Sequence, residues 1–152
     1  MSQEPSFVLL GWREWVLLPE LCVAPLRAKI DTGARTSSLH VERQWRFTEQ
    51  GAPWIGFEIR PRRTKPRLFE AVLPLLEERP VSDSGGHRTL RPFVLTSIQV
   101  GGRIQQVEMN LADRRGMLFP LLLGRSALEG FCVDPQGSFL HPKPGKTASP
   151  AG

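Results

Sequence analysis

Residues 29–34 read Lys-Ile-Asp-Thr-Gly-Ala, and Asp31 is the side chain in this chain best placed to do chemistry. An apolar stretch running into Asp31-Thr32-Gly33-Ala34 sets one carboxylate on a tight turn, where the small Gly33 lets backbone approach closely. A carboxylate so placed can hold and activate a water. Carboxylate activation of water ordinarily takes two such groups, one ionised and one protonated. The sequence contains a single Asp-Thr-Gly.

Other chemistries find less support. A zinc protease of the usual kind needs two histidines four apart on a helix with a glutamate between them, whereas His40, His87 and His141 are dispersed over segments that read as loops and strand ends. They read as surface or turn residues, and no metal is expected. No Gly-x-x-x-x-Gly-Lys-Ser/Thr loop is present to bind ATP, and no other cofactor is indicated. Cys22 and Cys132 lie far apart in apolar contexts and form no Cys-x-x-Cys pair, which suggests two buried thiols in a reducing compartment and leaves a disulfide open.

The elements that must carry Asp31 are short. Fourteen Pro and fourteen Gly spread over 152 residues argue against long helices, and 40% hydrophobic content is that of one globular domain. Residues 7–18 and 21–30 read as strands, the second leading into the Asp31 turn, and 37–42 resume an extended pattern. Trp45-Arg46-Phe47 and residues 54–59 flank a turn at 49–53, giving a hairpin. Residues 60–67, with two prolines and five basic residues, form a solvated loop. Residues 68–77 could be a strand or a short helix, with Pro74 favouring an edge.

Further on, Ser82-Asp83-Ser84-Gly85-Gly86-His87 is a glycine turn between extended arms, and Gly101-Gly102 closes a two-residue hairpin between 93–100 and 103–111. Leu121-Leu122-Leu123 reads as a buried strand, followed by Gly124-Arg125 and a short helix over 126–129 capped by Ser126. Residues 131–134 and 138–140 suggest a last hairpin. A domain at 7–141 would thus follow a short extension at 1–6 and precede a Pro, Gly, Lys and Ser tail at 142–152, expected to be disordered. Many short strands and one short helix near the end indicate an all-β closed barrel. With no secretory signal at residues 1–7, and no apolar run longer than 117–123, a cytoplasmic location away from membranes is expected.

These motifs, in this order, resemble a known family. Asp31 to Leu39 is similar to the active-site loop of retropepsin-like aspartic proteases, and Leu122-Leu123-Gly124-Arg125-Ser126-Ala127-Leu128 resembles their second signature. The glycine turn at 82–90 stands where that fold has its flap. Lys29 to His40, Gly86-His87-Arg88, Leu111 to Arg114, Met117 to Leu128, Val133-Asp134-Pro135 and Ser138-Phe139-Leu140 together resemble the bacterial family labelled ATP-dependent zinc proteases, associated with RimK-type glutamate ligases. The likeness spans about residues 7–140. The residues themselves fit the aspartic chemistry of this retropepsin-like fold better than the zinc and ATP of its label.

The resemblance implies that Asp31 is the catalytic carboxylate, that Thr32 locks the turn through its hydroxyl, and that Gly33 meets bound peptide. The second carboxylate would come from a symmetric homodimer. It also implies that Gly85 and Gly86 close over substrate, that Gly124 and Arg125 are structural, and that Arg35, Arg114 and Arg115 fall near the cleft. Arginines there would suit an acidic peptide, such as a glutamate-rich tail made by a ligase partner.

One departure stands out. Retropepsins commonly place an acid just after Asp-Thr-Gly-Ala, but here that position is Arg35, so Arg125 needs another partner, with Glu42 and Asp134 as candidates. If the chain acts as a monomer, Asp113 is the first candidate for a second acid, or an ordinary turn residue. Two further readings stand beside the peptidase: a non-catalytic peptide-binding accessory module, and RNA or ribosome binding. The last rests on the net charge of +5 alone and ranks below the others.

Overall fold

In the computed structural model, which describes residues 6–83 and 85–144, alternation of inward and outward side chains builds the strands. They run β1 (Val8–Leu10), β2 (Arg13–Leu18), β3 (Cys22–Ile30), β4 (Ser37–His40), β5 (Arg43–Glu49) and β6 (Ala52–Ile59). There follow β7 (Phe69–Pro74), β8 (Glu77–Ser82), β9 (Arg88–Val100), β10 (Arg103–Ala112), β11 (Leu121–Leu123) and β12 (Phe131–Val133). In β2 every second residue, Glu14, Val16 and Leu18, is fully buried. The four residues of β4 are all buried, as befits a strand covered on both faces.

Hydrogen bonding closes a mixed sheet into a ring. The order is β10-β4-β11-β3-β2-β9, and β9 pairs back onto β10. The seam between β2 and β9 is narrow, a single Leu17–Gln99 pairing, while β8 hangs from β9 as an outer arm. The expected all-β architecture is therefore present as a mostly-β fold with a ring-closed sheet. Two pieces lie outside the ring: the parallel pair β1–β12 and the antiparallel sheet β5-β6-β7. That second sheet shares the ring's core, since Ile55, Phe57, Ile59 and Ala71 pack with Leu39, Val94, Met109 and Leu121.

Turn chemistry accounts for the hairpins. Gly101 and Gly102 have φ of +59° and +80°, the left-handed pair that a two-residue loop between β9 and β10 demands. The β5–β6 turn is tighter than expected, two residues (Gln50 and Gly51) in place of five, again both left-handed. Residues 69–74 resolve as an edge strand ending on Pro74, where its missing N–H costs nothing.

Four expectations need correction. The short helix at 126–129 is a single 3-10 turn at Arg125–Ala127, begun by an extended Gly124 without any side-chain cap, so Ser126 does not cap it. The described residues contain no α-helix. The last hairpin is absent, because residues 131–133 pair in parallel with β1, and the segment after them crosses to β2. There Trp12 N–H donates to the Gly137 carbonyl at 2.8 Å and Phe139 N–H to the Arg13 carbonyl at 3.0 Å. Cys132 is exposed, since alternation along β12 turns Phe131 inward and Cys132 out, whereas Cys22 is buried and both thiols are free. Residues 1–5, Ser84 in the glycine turn, and 145–152 of the expected tail lie outside the described residues.

Candidate active site

β3 ends at Ile30, and Asp31 begins the turn that carries the chain to β4. Although joined by this turn, β3 and β4 are not neighbours, for β11 lies between them, parallel to β3 and antiparallel to β4. Asp31 is consequently tied across to β11, donating its N–H to the Leu123 carbonyl at 2.9 Å. Its Oδ1 accepts the Gly33 N–H at 2.9 Å, and its carbonyl accepts the Ala34 N–H at 3.2 Å. Asp31 is half-buried, while Thr32 and Gly33 are exposed.

The turn rests on Gly124-Arg125. Arg125 N–H donates to the Ala34 carbonyl at 2.8 Å and Ser126 N–H to the Arg35 carbonyl at 3.2 Å. A Cβ on Gly124 would stand 2.4 Å from the Thr36 carbonyl oxygen, so only glycine permits this approach. The Arg125 guanidinium binds the Thr32 carbonyl at 3.0 Å. That answers the question of its partner, which is neither Glu42 nor Asp134: Asp134 accepts the Gln136 N–H, and Glu42 pairs with His40 and Arg60. The Thr32 hydroxyl makes no hydrogen bond among the described residues, so the turn is locked by the Thr32 carbonyl and not by its side chain.

Beneath the turn lies a buried polar layer that the sequence did not announce. Ser37 Oγ accepts the Gly124 N–H at 3.0 Å, and Asn110 donates to the Ser37 carbonyl at 3.0 Å. Asn110 Oδ1 in turn accepts from Ser38 Oγ at 2.9 Å and from the Arg91 guanidinium at 3.1 Å. Satisfied in this way, the layer joins β4, β9, β10 and the Gly124 turn into one support. Adjacent buried serines in a strand were the available clue.

Arg91, missed in the sequence, stands close to Arg114, which was anticipated. Burial lowers the pKa of the Arg114 guanidinium, the Arg91 charge lowers it further, and the Asp31 carboxylate acts in the opposite sense. Arg114 also lines a cleft of about 210 Å³ with Arg115, Arg60, Arg63, His40 and Glu42. Of the expected cleft arginines the structure thus brings Arg114 and Arg115 together, with Arg114 within the field of Asp31. Arg35 is exposed on the turn itself, and its guanidinium has no partner among the described residues.

His40 is not the surface residue expected, for it is buried at the end of β4 under the loop that follows β10. Its Nδ1 accepts the Arg114 N–H at 2.8 Å, which leaves the Nε2 proton to bond Glu42. Burial pushes the Glu42 carboxyl up, but His40 and Arg60 outweigh it and hold the group below its ordinary range. With both ring nitrogens engaged, His40 does not fit a zinc ligand. His141 Nε2 lies 2.7 Å from the Leu9 carbonyl, and His87 is exposed beside Asp83, so the three histidines do not meet. Asp113 behaves as a turn residue, accepting the Arg115 N–H at 3.0 Å, with no bond to Asp31.

The glycine turn is organised by Asp83, whose Oδ1 accepts the N–H groups of His87 and Gly85, both at 2.9 Å. Those bonds, that from His87 first, hold its carboxyl below the usual range. Gly86, at φ +84°, completes the reversal between β8 and β9.

Comparison with known proteins bears on the family and the fold. Residues 9–144 match the RimB-like family, described as the retropepsin-like aspartic endopeptidase RimB. A probable alpha-L-glutamate ligase of Desulfotalea psychrophila is 31% identical over 137 residues, covering 89% of this chain and 30% of that protein. One of Shewanella pealeana is 34% identical over 133 residues, covering 86% and 29%. The chain spans less than a third of the length of these curated relatives. A crystal structure of a Legionella pneumophila protein of unknown function aligns with a TM-score of 0.73 at 29% identity, over 88% of this chain and 97% of that one. With its length from residue 9 to 144 matched, the chain belongs to the RimB-like family of retropepsin-like aspartic endopeptidases.

Proposed function

We propose that the chain is an aspartic peptidase in which Asp31 activates the water that attacks a peptide carbonyl. The observation that carries this reading is the clamp on the Asp31 turn, fixed by Leu123, Ala34 and Gly124-Arg125 while the carboxylate stays half-open to solvent. Two copies of the chain would bring two Asp31 side chains face to face. Carboxylates that close cannot both ionise and share one proton. The charged member takes a proton from water, the neutral member polarises the scissile carbonyl, and no covalent intermediate forms. Gly33, Arg35 and the Gly85-Gly86 turn would hold the peptide backbone.

Arg114, with Arg91 behind it and Arg115 along the cleft, favours substrates carrying carboxylates. We therefore place acidic peptides, such as glutamate-rich tails, as the preferred class, and a RimK-type ligase as the companion activity. The glutamate ligase names of the relatives support that association. The second reading is a non-catalytic peptide-binding module of such a ligase system, favoured by the single Asp-Thr-Gly in the chain.

Cleavage of a glutamate-rich and a neutral peptide by the native chain and by Asp31→Asn separates the two readings. The peptidase reading expects Asp31→Asn to lower turnover by about 10³-fold or more, with a chelator having no effect and the acidic peptide preferred. Turnover that survives Asp31→Asn and disappears with chelator would sink it, and peptide binding without any turnover would support the accessory module.

A further inference from the structure

Loop 60–67 borders a second groove, of about 190 Å³, that meets the cleft at Arg63 and Pro120. Arg27 of β3, Arg62 and Arg63 reach it from two sides, over Pro61, Pro120 and the exposed Leu118. No carboxylate lines it. The loop is held in place by Arg60, whose guanidinium binds Glu42 at 3.3 Å and the Lys65 carbonyl at 3.1 Å, and by the Lys65 N–H on the Arg62 carbonyl at 3.1 Å. The guanidiniums of Arg27, Arg62 and Arg63 make no hydrogen bond or ion pair among the described residues. Three unpaired guanidiniums on a pinned loop and an adjoining strand form a surface that like-charge repulsion disfavours unless an anion binds it.

We propose that this groove is a docking site for an extended acidic polypeptide segment, separate from the bond-cleaving position. Guanidiniums spaced along a groove suit successive carboxylates, which they bind in bidentate fashion. A nucleic acid is the poorer fit. Its bases stack on free aromatic faces, whereas Trp15, the aromatic residue of the groove, is stacked on Phe139 at 5.5 Å and covered by the Lys143 ammonium at 4.5 Å. Arg27 precedes Asp31 by four residues, roughly 13 Å at the rise of a strand. An extended peptide bridges that span with about four residues, so carboxylates distant from the scissile bond would engage the groove.

The site does not depend on turnover, so its test uses the full chain carrying Asp31→Asn and a fluorescent decaglutamate at low salt. Substituting Arg27, Arg62 and Arg63 by Gln together is expected to weaken binding about tenfold or more, the sum of modest exposed pairs. Arg62→Glu alone, which leaves the other two in place, is expected to weaken it several-fold and to make the affinity less salt-dependent. Decaglutamine should bind weakly and alike to all variants. Unchanged decaglutamate affinity in both variants overturns the proposal. So does tighter binding of an RNA oligonucleotide of equal charge that is lost with the same arginines, which would assign the groove to nucleic acid. Failure of cleavage by the native chain would overturn the peptidase reading and leave this binding result standing.

Discussion

Gly124 concentrates the site's tolerance into one atom. A methyl group there would meet the Thr36 carbonyl oxygen at 2.4 Å and the Ala34 carbonyl oxygen at 2.9 Å, both backbone, so neither can step aside without moving the Asp31 turn. Gly124→Ala is expected to destabilise the chain by about 2–3 kcal/mol, the usual cost of overpacking, and to abolish cleavage. Urea denaturation checks the first effect, and an unchanged midpoint would refute it. Gly124 was recognisable in the sequence as half of a signature, as was Asp31. The partner of Arg125 was not, because a backbone carbonyl such as that of Thr32 carries no mark in the sequence. His40 escaped for a related reason: its burial comes from the loop after β10, 74 residues away.

At the scale of elements, strands with clear alternation or a glycine turn were readable and the chain's last segment was not. Residues 138–141 are held by Glu14, fully buried on β2, which accepts N–H groups from Gly11 at 2.7 Å, Leu140 at 3.1 Å and His141 at 3.3 Å. A buried carboxylate reading as one more polar residue in an alternating strand gives no hint that it holds a backbone segment 126 residues further along the chain. Glu14→Gln keeps the shape but turns an NH2 towards these donors. It is expected to cost about 1–3 kcal/mol and to loosen residues 137–141 from β2, with Phe139 lifting off Trp15. Hydrogen exchange at Leu140 and His141 reports this directly, and protection equal to that of the native chain would dismiss the role.

For the molecule as a whole, the source of the second carboxylate sets the working assembly, since the chain supplies one Asp31 turn and Asp113 is occupied with its own loop. If two copies pair their Asp31 residues, turnover per chain falls on dilution. Adding excess Asp31→Asn chain then poisons the native one by forming mixed dimers. A peptidase that works as a monomer shows neither effect. The mixing experiment therefore discriminates between dimer and monomer without needing a structure of the assembly.

The sequence by itself determined the turn of Asp31, the Gly124-Arg125 signature, the hairpin at Gly101-Gly102 and the largely β character. The Asp31 turn, the hairpin and the β character are written in short-range chemistry, a glycine in a tight turn or a period of two. The Gly124-Arg125 signature was legible through its resemblance to the retropepsin-like pattern. Only the tertiary structure decided that β11 separates β3 from β4, that a 3-10 turn stands where a helix was expected, and that Arg91 joins Arg114. It also decided that Arg27 meets Arg62 and Arg63 in one groove. These depend on which strands close the ring, and pairings between residues tens of positions apart are fixed by shared burial, which no local pattern encodes.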